Sequence, residues 1–205
     1  MQGLIDNLRD YKFTCLTLPA RHFNWRIRGN ALSWYNRPEF SQAFDVLLAT
    51  SMVDVSALRG VHPQLARIPC VVYCHENQFA YPKSRHQKPP LEPLMVSLYN
   101  ALTADKLVFN SDWNRRSFIS GAQDLLAQMP DHVPCTIVPT IAAKAEVLPV
   151  PLHAYRLGIK THAPFSAQNP LEIVWNHRWE FDKGPDLLLA IVQALPQQLP
   201  LRFYI

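Results

Sequence analysis

Short runs rich in Val, Ile, Leu and Phe recur along this chain, at Lys12–Leu18, Phe44–Ala49, Ile68–Cys74, Lys106–Asn110, Ala145–Pro149, Leu171–Trp175 and Leu201–Ile205. Longer amphipathic stretches separate them. Near-continuous apolar runs suit strands covered on both sides, and strands that alternate with helical stretches build crossover units. The pattern predicts an α/β fold, a Rossmann-like parallel sheet with helices on both faces. Helices are expected around Arg26–Tyr35, Leu91–Ala104, Asp112–Gln128 and Pro185–Ala194, with Ser111 as the N-cap of the third and a further helix-like start at Gln2–Arg9.

The eighteen prolines collect in connections, at Pro89, Pro90 and Pro93 and again from Pro149 to Pro170. The second cluster divides the expected organisation into an α/β lobe over residues 1–150, a linker over 151–170 and the start of a second lobe over 171–205. A length of 205 residues admits one whole domain and part of another.

With 48% hydrophobic and 18% charged residues, the composition is that of a globular protein, too apolar for a disordered chain. No apolar run approaches the roughly 20 residues that cross a bilayer. Met1–Asp10 lacks the basic stub and apolar stretch of a signal peptide, so the cytoplasm is the expected compartment. The cysteines Cys15, Cys70, Cys74 and Cys135 read as buried small hydrophobes. No metal site is expected. Neighbours on a strand point to opposite faces, which separates Cys74 from His75, and Phe79 stands where a His75-Glu76 zinc motif would need its second histidine.

Only six glycines are present, and none forms the glycine pattern of a dinucleotide fold or a phosphate loop. In parallel sheets ligands bind outside the carboxyl ends of the strands. Three places there carry chemistry. His75-Glu76-Asn77-Gln78, followed by Tyr81-Pro82, puts four polar side chains directly after a buried strand, which suits a cleft that grips hydroxyl groups or a hydrogen-bonded turn. Asn110-Ser111 stands where a strand enters a helix, open to phosphate or sugar oxygens or to plain capping. Asn176 to Gly184 brings His177, Arg178 and Lys183 between a strand and a helix, either as a diphosphate clamp or as a solvated turn paired to Glu180 and Asp182.

Two stretches are basic. Arg21 to Arg28, continuing to Trp34, Tyr35 and Arg37, interleaves arginines with aromatics, a composition suited to RNA backbone contact and base stacking or to an amphipathic helix. Lys83 to Lys88 is a cationic loop without acids. The net charge of +4 is a mild excess.

Taken together, Cys74-His75-Glu76-Asn77-Gln78 with Tyr81-Pro82, Leu107-Val108-Phe109-Asn110-Ser111, and Trp175-Asn176-His177-Arg178-Trp179-Glu180 through Asp182-Lys183 resemble the tRNA-queuosine mannosyltransferase family. Leu18-Pro19-Ala20, Trp25-Arg26, Arg28 and Ala31-Leu32 extend the resemblance over nearly the whole chain. That family is similar to the family-4 retaining glycosyltransferases, which have two Rossmann-like lobes in the GT-B arrangement. The resemblance implies mannose transfer from GDP-mannose to queuosine in a tRNA anticodon, without a metal or other cofactor. His75 would then be the catalytic residue beside the donor sugar. Arg178 and Lys183, with His177, Asn110 and Ser111, would bind the donor, and Glu76, Asn77, Gln78, Tyr81, Trp25, Arg26 and Arg28 the acceptor.

Family members begin with a strand and a Gly-Gly-Ser-His-type loop, and they carry a later pair of glutamates in the second lobe. The expectation is a chain that starts after the first element and stops before the last. A lipid or polysaccharide acceptor, and a fragment that only binds, are the alternative readings. The sequence leaves the oligomeric state open.

Overall fold

The computed structural model describes residues 2–81, 90–151 and 164–205, and the chain divides into two compact units. The first is built from residues 2–80 and 90–150, and the second centres on residues 164–205.

The first unit holds a four-stranded sheet of β1 (Leu47–Thr50), β2 (Cys70–Cys74), β3 (Lys106–Phe109) and β4 (Ala145–Val147), in that order and all parallel. Val72 stands opposite Ala49 on one side and Leu107 on the other, while Cys74 stands opposite Phe109 and Phe109 opposite Val147. Parallel strands in this register end together, so the loops after β1, β2, β3 and β4 emerge along one edge. The unit also holds α1 (Gln2–Asn7), α2 (Phe23–Ser33), α3 (Val55–Val61), α4 (Leu91–Thr103), α5 (Asp112–Ala127) and α6 (Ile137–Ala143).

Alternation decides which face is covered. Cys70, Val72 and Cys74 of β2 and Leu107 and Phe109 of β3 point one way, into a single cluster with Val55 of α3, Leu98 and Ala101 of α4, Phe118 and Ala122 of α5 and Ile141 of α6. Phe118 meets Phe79 and Phe109 edge-on, at centroid distances of 4.9 and 5.3 Å. The alternate residues Leu48, Val71, Tyr73 and Val108 are exposed or half-buried. The helices after β1, β2 and β3 thus bury one face among the described residues, where helices on both faces were expected. The physical reason is the strand order. Right-handed crossovers between successive neighbours place every connecting helix on the same side.

A second cluster, Ala31 of α2 and its C-cap Trp34 with Phe40, Leu58 and Leu65, lies beside the first. It corrects an expected strand. Lys12–Leu18 makes no ladder; Leu16 and Leu18 pack onto this cluster instead, so the run serves as an apolar brace. Helix α2 begins three residues earlier than expected, at Phe23, and α3 and α6 were not anticipated. Cys70 and Cys74 are buried as expected, but Cys15 and Cys135 are exposed, lying outside every strand.

In the second unit β5 (Leu171–Val174) and β6 (Leu201–Tyr204) pair in parallel, with Ile173 opposite Phe203, and α7 (Pro185–Ala194) connects them. Gly184, at φ 69°, turns the chain into α7 in a left-handed conformation that a side chain would strain. No residue from 164 to 205 is fully buried. Among the described residues no helix is long and apolar enough to cross a membrane.

Candidate functional site

The loop after β1 is organised by buried polar groups. Asp54, wholly buried, caps α3 by accepting from the Ala57 amide at 2.9 Å and the Ser56 hydroxyl at 2.8 Å, and takes Arg28 Nη1 at 2.7 Å. Arg28 Nε also lies 3.5 Å from Glu92. Asn30 ties α2 to the same loop: its Oδ1 accepts from the Asp54 amide at 3.1 Å, and its Nδ2 donates to the carbonyls of Met52 at 3.3 Å and Arg26 at 2.7 Å. Arg28, one of the expected acceptor contacts, is therefore already engaged by two carboxylates. Arg26 differs, because its Nε and Nη1 are buried without a hydrogen-bond partner. Trp25 is 57% exposed and lies over Gly29, where an added Cβ would come within 2.5 Å of the indole. Of the other aromatics in the basic stretch, Trp34 is core and Tyr35 is open, while Arg37 pairs with Glu39.

At the ends of β2 and β3 the side chains knit the two strands to α5. Ser111 caps α5 as expected, its hydroxyl accepting from the Asn114 amide at 3.1 Å. Asn114 Nδ2 donates to the Cys74 carbonyl at 3.0 Å and to Asn110 Oδ1 at 2.8 Å, and Asn110 Nδ2 donates to the His75 carbonyl at 3.1 Å. Asn77 closes the loop from the other side. Its Nδ2 donates to Ser117 Oγ at 2.9 Å and to the Asn114 carbonyl at 3.3 Å, and its Oδ1 accepts from the Phe79 amide at 3.0 Å. Phe79 presses on α5 at Gly121 so closely that a Cβ there would lie 2.4 Å from the Phe79 Cβ.

The loop's backbone is thereby held while two of its side chains stay open. His75 and Glu76 are exposed, and their side chains make no hydrogen bond or ion pair among the described residues. Gln78 Nε2 reaches Met52 Sδ at 3.9 Å, which links the loops after β1 and β2. Tyr81 is 50% exposed, and Pro82 and the basic loop from Lys83 to Lys88 lie outside the described residues. Burial pushes the Cys70 thiol up to about 11 and the Cys74 thiol up to about 12. They are inert core thiols, not nucleophiles or ligands. No cluster of metal ligands occurs among the described residues.

The second unit carries the cationic turn. Arg178 Nη2 is 3.1 Å from Glu180, and Lys183 Nζ is 2.8 Å from Asp182. The hydrogen bond between them raises the Lys183 pKa and lowers that of Asp182. The local pairing that the sequence allowed is made: the Arg178–Glu180 pair is exposed, whereas the Lys183–Asp182 pair is half-buried. Trp175 packs against Trp179 at 4.8 Å and edge-on to His177 at 5.8 Å, which shapes the turn around the two cations.

A separate cavity of about 490 Å³ opens between α5 and α6, lined by Leu126, Ala127, Val133, Val138 and their neighbours. It lies toward the far end of α5, more than ten residues or roughly 15 Å from the Asn110–Ser111 turn, and it is apolar. Volume alone does not make it the site.

Sequence reading located the loops but missed the residues that build them: Asn30, Asp54, Asn100, Asn114 and Ser117. Asn100 ties α4 to the loop after β1 by accepting from the Val55 amide and donating to the Val53 carbonyl. Local spacing showed only the Ser111 cap beside Asn114 and none of these five side chains' roles.

The sequence model described as tRNA-queuosine alpha-mannosyltransferase N-terminal matches residues 1–152. A curated protein of Drosophila melanogaster, tRNA-queuosine alpha-mannosyltransferase, is 32% identical over 202 residues, which is 96% of this chain and 54% of that protein. This chain thus spans about half the length of that relative. No solved structure matches. Because the family match takes in the whole first unit, with its sheet and the polar loops along its edge, the chain belongs to the tRNA-queuosine alpha-mannosyltransferase family.

Proposed function

We propose that this chain serves a cytoplasmic glycosyltransferase reaction, the retaining transfer of mannose from GDP-mannose to queuosine in the anticodon of a tRNA. The observation that carries the reading is the family match over residues 1–152. The geometry supports it with a held loop that presents two unpartnered side chains, His75 and Glu76, at the carboxyl edge of the sheet. His75 serves the reacting sugar. Glu76 and Gln78 line the acceptor side on the loop that Asn77 fastens, with Trp25 contacting RNA and Arg28 contributing through the surface it shapes with Asp54.

Charge builds on the departing phosphate as the sugar–phosphate bond breaks, and a site must compensate it. Arg178 and Lys183 of the second unit, with His177 beside them, supply that charge on giving up Glu180 and Asp182, so no metal is needed. The test uses protein expressed from its whole reading frame, GDP-mannose and queuosine-containing tRNA. Transfer raises the mass of the anticodon fragment by one hexose and alters the tRNA's mobility in a boronate gel. An unchanged fragment mass overturns the reading.

A further inference from the structure

We infer that Asn114 is a positioning residue for this reaction, setting the backbone of His75 through a ring of amides shared with Asn110. The inference rests on the proposed function above and names a residue that it does not use. Asn114 stands in the first turn of α5, 5% exposed. Its Nδ2 donates to the Cys74 carbonyl and to Asn110 Oδ1, and Asn110 Nδ2 donates to the His75 carbonyl. The Asn110 backbone amide adds a bond to the Cys74 carbonyl at 3.2 Å.

The consequence is geometric. The Cys74 carbonyl belongs to the peptide plane before the His75 Cα, and the His75 carbonyl to the plane after it. Only φ and ψ of His75 separate two planar peptides, so holding both carbonyls sets both angles and with them the direction of the His75 Cα–Cβ bond. The Asn114 carbonyl meanwhile accepts from Asn77 Nδ2 and Ser117 Oγ, which pins the loop two residues further on. One residue thus touches the loop at both ends. Asn114 Oδ1, by contrast, is buried without a partner. An orphan acceptor is a cost, and sites that need a fixed geometry tolerate such costs where plain structural positions do not.

Asn114→Asp keeps the shape and removes the forked donor. In the full protein assayed with GDP-mannose and queuosine tRNA, we expect kcat to fall on the order of a hundredfold, with KM for both substrates changed less than about threefold, because misplacement of a reacting group costs rate more than binding. Amides of residues 75–80 should exchange faster with solvent while those of β2 and β3 keep their protection. Asn110→Ala should do the same, and the double variant should be no worse than the poorer single one, since both break one ring. Unchanged kcat, additive losses or unaltered exchange at residues 75–80 overturns the inference. If Asn114→Asp does not fold, Asn110→Ala carries the same expectation. A wild-type protein that transfers no mannose overturns the functional proposal alone, and the exchange measurement, which needs no substrate, still decides this one.

Discussion

The strand-loop-helix-strand segment from β2 to β3 and the one from β5 to β6 use much the same materials to different effect. Helix α4 buries Pro93, Val96, Ser97, Leu98, Asn100 and Ala101, whereas α7, with the sequence PDLLLAIVQA, buries nothing. Leu187, Leu189 and Ile191 are 66%, 56% and 48% exposed, so α7 is no less apolar than α4 but has few neighbours among the described residues. The strands differ in the same way: β2 runs between β1 and β3, while β5 has β6 alone among the described strands. A two-stranded parallel pair under one helix cannot enclose a core. Apolar sequence supplies the driving force for burial, and the number of elements that converge decides whether burial happens.

The contrast can be broken in several ways. The largest expected effect is in amide exchange: the amides of β2 and β3 should be protected on the order of a thousandfold more than those of β5 and β6 in a native-state exchange series. Equal protection would mean that the second unit has covered its apolar side chains. Next, Phe109→Ala should cost the first unit about 3–5 kcal/mol in a denaturant titration, since the ring is wholly buried against Phe118, while Phe203→Ala should leave that transition unmoved.

Gly121→Val should cost roughly 1–3 kcal/mol, because its Cβ would collide with Phe79, and should loosen the His75 loop as read by exchange at residues 75–80. A smaller effect follows from the thiols. Their folded values, about 11 for Cys70 and about 12 for Cys74, lie above the ordinary 9.0, so the stability they contribute is complete below pH 9.0 and is lost as pH rises toward those values. A titration of stability against pH should lose part of its alkaline fall in a Cys70→Ala/Cys74→Ala variant. On the first unit's unfolding the smallest expected change is that of Arg178→Ala with Lys183→Ala, no measurable shift, while the mannose transfer proposed above should be lost.

The cores of the long elements could be read from sequence. Helices α4 and α5 and strands β2 and β3 lie within a residue or two of their expected bounds because each is strongly patterned and flanked by clear stops. Lys12–Leu18 misled because a run of alternate apolar residues looks the same whether it pairs in a ladder or braces a cluster; Leu16 and Leu18 do the second. Helices α3 and α6 escaped notice because seven residues are barely two turns, too few for periodicity to show. The site divided likewise. His75 to Gln78 stood out as polar residues after a buried strand, but the roles of Asn77 and Arg28 as fasteners of their own loops depended on Ser117 and Asp54, distant in the chain.

What the amino-acid order determined by itself was the alternation of strand and helix, the parallel sheet that follows from it, the cap at Ser111 and the polar loops at strand ends. These depend on neighbours a few residues apart, through side-chain direction and local hydrogen bonding. Only the tertiary structure decided which sheet face is covered, which cysteines are inert, and that Asn114 joins the ends of β2 and β3, because each of those outcomes is a meeting of groups that lie tens of residues apart and are placed by packing.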